Sequence, residues 1–236
     1  MLDPIELKDI QRRYEEQRAN YEMLSDRILA RCMDYRRQNP KAVRIVFSRQ
    51  PRIKTLDSIT QKIEDIRKTG NCTFQDITDV IALTVLCTYS SDIPPFLVWL
   101  RRSFDVTPGL DDDALRQYES GHRGYHFVMR LGTSEQAADP HLNLPCELQV
   151  KTVIEEAFDA KSHDLAYKPG YLEVGKELKE QFSILSTALH AIDRQSEFLK
   201  TLILQEEHDI NLRRSACIEL YLQNFEDVPT QIGLNP

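Results

Sequence analysis

The chain has 236 residues, 41% hydrophobic and 28% charged, and its 30 basic and 37 acidic side chains leave a formal charge of −7. That length suits one catalytic domain with a helical extension, and the net acidity argues against non-specific nucleic-acid binding. With no apolar run near ~20 residues, a charged N-terminus unlike a secretory signal and five scattered cysteines without a CxxC pair, a folded cytoplasmic protein without membrane spans, disulfides or structural zinc is expected.

In chain order, Ile10, Tyr14, Tyr21, Leu24 and Ile28 recur at helical spacing among charges and predict a helix over 4–38, stopped by Asn39-Pro40. Val43, Ile45 and Phe47 alternate with other residues and suggest a first strand. Thr55 or Asp57 can cap a helix over 58–69, with Ile59, Ile63 and Ile66 as its core stripe and Gly70 as its stop. Residues 80–89, VIALTVLCTY, are almost continuously apolar and predict a central strand buried on both faces. Asp92, Pro94 and Pro95 open a helix that is expected to run through Phe104. Residues 105–123 read as a long polar loop. Strands are expected at 124–131 and 144–151, and helices from 152 to about 225.

The domain organisation follows: an N-terminal helix over 1–40, a catalytic domain over 41–170 and a helical extension over 171–236. In that extension Leu178, Phe182, Leu185, Leu189, Ile192, Ser196, Leu199 and Ile203 step alternately by four and three residues. This heptad seam suits packing against the chain's own helices, or a homo-oligomer formed through 178–203.

Three segments carry side chains suited to chemistry. In SRQPRIKTLDSITQKI, residues 48–63, the cations Arg49, Arg52, Lys54 and Lys62 cluster around a helix start. Ser58 and Lys62, four apart, share a helix face. Such a place can bind phosphate, although a solvated basic turn has the same composition. Asp79 stands at the entrance of the apolar strand, a usual place for a ligand group and also for a plain turn residue. In CELQVK, residues 146–151, alternation puts Cys146, Leu148 and Val150 on one face and Glu147, Gln149 and Lys151 on the other. A magnesium–triphosphate complex would satisfy that polar row, the acid holding the metal and the cation a phosphate oxygen.

Glu147, Gln149, Lys151 and Thr152, followed at fixed distance by His163, Leu165, Tyr167 and Lys168, resemble the E-x-Q-(I/V)-(R/K)-T and H-x-L-x-Y-K elements of the RelA/SpoT family of alarmone, (p)ppGpp, synthetases. Upstream, Arg52, Lys54, Ser58, Ile59 and Lys62 match the family's R-x-K-S-x-x-S-I-x-x-K element, with Thr55 in place of serine. Asp79 matches its magnesium-binding aspartate, and Gly124-Tyr125 its G-Y element. The resemblance covers about residues 43–168. It implies an α+β fold with a mixed sheet of about five strands flanked by helices. It also implies transfer of pyrophosphate from ATP to the 3′-hydroxyl of GDP or GTP.

Its site would use Asp79 and Glu147 to hold Mg²⁺ and catalyse, and Arg49, Arg52, Lys54, Ser58 and Lys62 to bind ATP. Tyr125 would stack on the acceptor base, with Gln149, Lys151, His163 and Arg123 on the acceptor side. Departures from the pattern fall mainly on that side and around the adenine: Thr84 stands where arginine is usual, Met129 where histidine is usual, and Lys151 where arginine is more common. An adenosine nucleotide or the tRNA 3′ end therefore stays open as acceptor, as does a non-catalytic nucleotide-binding module.

Overall fold

The computed structural model describes residues 2–39, 45–47, 52–107, 116–117, 123–132, 142–166 and 176–226. Helix α1 spans Pro4–Gln38. The Asp3 carboxylate caps it by accepting from the amides of Ile5 and Glu6, and Pro4 fills a first-turn position that needs no amide donor. All five apolar residues that predicted this helix are buried, and Cys32 and Tyr35 extend the stripe.

The short strands β1 (Ile45–Phe47) and β2 (Arg52–Ile53) precede helix α2, Leu56–Arg67. Thr55 caps α2, its hydroxyl accepting from the Ser58 amide. The helix therefore begins two residues before the expected position. Ile59 and Ile63 are fully buried, whereas Ile66 in the last turn is exposed. Glu6 on α1 holds Arg67 at the far end of α2, and the Leu2 amide donates to Glu64, so the two helices are joined by polar contacts.

Strand β3, Ile81–Cys87, is central. It pairs antiparallel with β1 and β2 on one side and parallel with β7, Cys146–Thr152, on the other. Helix α3, Ile93–Ser103, opens on two prolines and buries Ile93, Phe96, Leu97 and Leu100. It ends one residue earlier than expected, because Phe104 starts strand β4, Phe104–Val106. Part of the segment read as a loop is thus strand: β4 pairs with β6, Arg123–Leu131, and the two-residue β5, Arg116–Gln117, pairs with β6 as well. Tyr35, Phe96, Trp99 and Phe104 stack at centroid distances of 4.7 to 5.8 Å. Each such aromatic pair adds ~0.5–1.5 kcal/mol beyond its area and fastens α1, α3 and β4 together.

The main path of the sheet runs β1-β3-β7-β6-β4, with β2 and β5 appended. It is mixed, since only β3 and β7 are parallel. The result is the expected α+β architecture, a five-strand mixed sheet flanked by helices. Helix α4, Val153–Ala166, follows β7 without a linker. Thr152 makes this possible. Its hydroxyl accepts from the Glu155 amide while the Glu155 carboxylate accepts from the Thr152 amide, a reciprocal cap. Helix α5 spans Lys176–Glu226.

The chain divides into two compact units, Met1–Asp193 and Arg194–Pro236. The first holds the sheet, with Ile81, Leu83, Val85, Cys146, Leu148 and Val150 almost wholly buried in its core. The second is helical through residue 226, and the side chains of residues 201–220 are all exposed. Among the described residues no helix is long and apolar enough to cross a membrane.

Candidate active site

One face of β7 packs into the core, and the other carries the polar row. The register sets Ala82 beside Glu147 and Thr84 beside Gln149 on β3, and Val128 beside Glu147 and His126 beside Gln149 on β6. These side chains are half-buried rather than buried. The prediction that β3 is buried on both faces therefore fails at Ala82 and Thr84, which stay half-buried.

Asp79 lies two residues before β3 at the edge of this face. Its neighbour Lys54 follows β2, and the Lys54 amide donates to the Val80 carbonyl at 2.8 Å, continuing the pairing of β2 with the chain entering β3. The Tyr14 hydroxyl of α1 donates to the Lys54 carbonyl at 3.0 Å. Lys54 is thus held from two sides, and its Nζ donates to Asp79 Oδ2 at 2.6 Å. Lys62, in the second turn of α2, donates to the same oxygen at 2.6 Å. The Lys54 and Asp79 side chains are 11% and 12% exposed, and Lys62 is 39% exposed. Burial opposes the charge on Asp79, but the hydrogen bonds and positive charge of Lys54 and Lys62 outweigh it and hold the carboxyl below its usual value. The other oxygen, Asp79 Oδ1, is buried without a hydrogen-bond partner.

Glu147 completes the acidic pair. Burial again opposes its charge. The His126 hydrogen bond and nearby charge, with a contribution from Lys62, outweigh both burial and the repulsion of Asp79, and the carboxyl lies below its usual value. His126 Nδ1 is 3.2 Å from Glu147 Oε1. The polar groups of the site run in sequence: Lys54 and Lys62 on Asp79, Glu147 within electrostatic reach, and the His126 ring beyond it.

Of the residues expected at the site, Lys54, Lys62, Asp79 and Glu147 come together. Arg52 is exposed on β2, opposite Ala82. Ser58 is exposed in the first turn of α2, where its hydroxyl accepts from Thr55. Gln149 stands on the site face between Thr84 and His126. Tyr125 does not join this cluster: it pairs with Val150 and is partly buried against the core. Lys151 shares the Gln149 strand, but its buried ammonium is bound by Glu156 at 2.8 Å and by Asp159. Arg49, Tyr167 and Lys168 lie outside the described residues, as do the side chains of Arg123 and His163. His126 was not singled out from sequence. The signal was there, since a strand that turns Tyr125, Phe127 and Met129 to one face must turn His126 to the other.

Among the described residues no three His, Cys, Asp or Glu side chains form a cage that could hold a metal ion alone. Two carboxylates, one with an unpartnered buried oxygen, instead fit Mg²⁺, which usually takes one or two protein carboxylates and completes its shell with water and phosphate oxygens.

A family profile described as "Region found in RelA / SpoT proteins" matches residues 51–171, just over half the chain. No curated protein matches the sequence. Among solved structures, the chain resembles small alarmone synthetase 1 from Bacillus subtilis bound to its product pppGpp, with TM-score 0.67, 20% identity, and 81% of this chain and 98% of that one covered. A GTP pyrophosphokinase family protein from Streptococcus pneumoniae gives TM-score 0.63 and 21% identity over 81% and 94% of the two chains. Small alarmone synthetase 2 from Bacillus subtilis gives 0.62 and 17% over 79% and 97%. At these identities the likeness is one of fold.

Proposed function

This chain belongs to the RelA/SpoT family, and we propose that it is an ATP-dependent pyrophosphokinase that makes an alarmone from a guanosine nucleotide. The 3′-hydroxyl oxygen of GDP or GTP bonds to the β-phosphorus of ATP. The bond from that phosphorus to the α,β-bridging oxygen breaks, AMP leaves, and the hydroxyl proton passes to a base. The observation that carries the reading is Asp79, its one oxygen gripped by two lysines and its other buried and unpartnered, within electrostatic reach of Glu147.

In this reading Asp79 and Glu147 hold Mg²⁺, which when bound would neutralise phosphate charge. Lys54 and Lys62 are positioned to shift from Asp79 toward the triphosphate, and Arg52 and Ser58 stand exposed on the adjoining β2 and α2 to meet it. Glu147, ionised at neutral pH, is the acceptor for the hydroxyl proton. Such catalysis is mostly positioning and charge stabilisation. Gln149 lies on the acceptor side. Tyr125, near the start of β6, stacks on the acceptor base, and Lys151 braces the acceptor side from its ion pairs with α4. Incubation with labelled ATP and separate acceptors, with Asp79→Asn as control, tests the reading.

The reading includes a second copy of the chain. The heptad seam leaves Leu185, Ile192, Leu199 and Ile203 between 37% and 57% exposed, more apolar surface than one isolated helix keeps in water without cost. Beyond it, Glu206 and Arg213 continue the same stripe one heptad apart. Opposite charges so placed suit pairing with an antiparallel copy.

A further inference from the structure

We propose that His126 is a positioning residue of this site: through Nδ1 it fixes the Glu147 carboxylate in the orientation that metal binding and proton uptake require. The inference rests on the proposed role of Glu147 and adds a residue from a different strand.

The geometry begins with the register. His126 stands opposite Gln149, and Glu147 stands opposite Val128, so His126 and Glu147 are diagonal neighbours on one face of the antiparallel pair β6–β7. That diagonal is within reach of long side chains, and it places Nδ1 3.2 Å from Oε1. Both side chains are 22% exposed, sheltered enough for the bond to count for more than one at the surface. A carboxylate oxygen is an acceptor, so this contact is a hydrogen bond in the tautomer that carries the proton on Nδ1.

A glutamate on a strand has three side-chain torsions to fix. Lys62 and Asp79 act on Glu147 with opposite sign, and neither anchors it from its own sheet. His126 does, because its backbone is hydrogen-bonded to the strand that carries Glu147. The ring lies over Gly124, two residues earlier on the same face, with Nε2 3.7 Å from the place a Cβ there would occupy, an ordinary contact distance. Carboxylates that bind metals are commonly oriented by such a partner, and its loss costs about 10–100-fold in metal affinity or activity.

Three variants test this. His126→Asn places an amide N–H near the position of Nδ1. His126→Gln places it near that of Nε2. His126→Leu removes it. For each, kcat and KM for ATP would be measured, together with calorimetric affinity for a non-hydrolysable ATP analogue with Mn²⁺. The expected result is a fall in kcat/KM for ATP of about 10–100-fold for Leu and Gln, with the Mn²⁺-dependent affinity weakened by about tenfold, and recovery of both by Asn to within about fivefold of the wild type. Equal losses in Asn and Gln would mean that the ring matters only for its shape, and wild-type kcat/KM in Leu would mean that it does not matter; either overturns the proposal. Should the wild type transfer no pyrophosphate, the proposed reaction fails, and the Mn²⁺-dependent affinity alone judges His126. Weakening of about tenfold in Leu and Gln but not in Asn supports the role, and equal affinity throughout overturns it.

Discussion

Lys54 and Lys62 reach the same oxygen of Asp79, each at 2.6 Å, from a strand end and from a helix. Two cations on one oxygen overcompensate a single carboxylate. The arrangement is therefore suited to receive further negative charge, and it leaves Asp79 Oδ1 free to do something else.

Replacing Asp79 by asparagine keeps the shape and removes the charge. Pyrophosphate transfer is expected to fall by at least ~10²–10³-fold, the usual cost of losing one electrostatic stabiliser, with the far-ultraviolet circular dichroism retained. Full activity from folded Asp79→Asn protein would remove Asp79 from the reaction.

Lys54 is the more buried and the more tightly held of the two lysines. Lys54→Ala is expected to raise the KM for ATP more than the KM for the acceptor, by roughly tenfold for a lost charged contact of ~1.5 kcal/mol. Steady-state kinetics with each substrate varied in turn checks it. Equal effects on both substrates would place Lys54 outside the phosphate site.

The ion pairs of Asp79 also set an acid limit. Its folded pKa lies below the ordinary aspartate value of 3.8. Its contribution to stability is therefore complete above the unfolded value and is lost as pH falls through the folded one. Urea unfolding of wild type and Asp79→Asn between pH 7 and pH 3 should give a stability difference that is constant down to about pH 4.5 and changes below it. A difference that stays flat to pH 3 contradicts the pairing.

Lys151 is 5% exposed and bound by Glu156 and Asp159. Burial works against its charge, but the hydrogen bonds that it donates to these two acids prevail and its pKa is raised above 10.5. That stabilisation is complete below 10.5 and fades only as pH rises through the folded value. Lys151→Ala is expected to cost about 3 kcal/mol, the lower end for a broken buried pair because both acids keep some solvent, with a smaller effect on acceptor KM in the protein that remains folded. A stable variant with a greatly raised acceptor KM would restore Lys151 to the acceptor site.

The seam on α5 gives a test of association. Leu199→Asp with Ile203→Asp puts charges on its exposed stripe and is expected to lower the mass measured by light scattering to that of one chain. An unchanged mass from wild type and variant would remove the seam from any assembly.

Much of this site was legible because strand alternation is strict. The sequence Cys146–Thr152 separated a core face from a polar face, and the register then placed Ala82, Thr84 and His126 beside that polar face. The same alternation groups Tyr125 with Phe127 and Met129; these two are buried and Tyr125 is partly buried against the core. Strands β4 and β5 escaped notice because three and two residues carry too little periodicity, and both depend on β6 for their pairing. Lys151 is expected from sequence to meet a phosphate oxygen or the acceptor; its ion pairs are not legible there because the acids lie five and eight residues on, and the tight turn into α4 returns them to it. That turn depends on the Thr152–Glu155 cap.

The central claim is pyrophosphate transfer, and labelled ATP tests it most directly. Wild type and Asp79→Asn would be incubated with ATP carrying label in its β- and γ-phosphates, with Mg²⁺ and, in separate tubes, GDP, GTP, ADP or deacylated tRNA. Label is expected on a guanosine nucleotide with equimolar AMP, and is expected to be absent with the variant. Folded wild-type protein that binds ATP and labels none of the acceptors, or labels them equally well with Asp79→Asn, would contradict it.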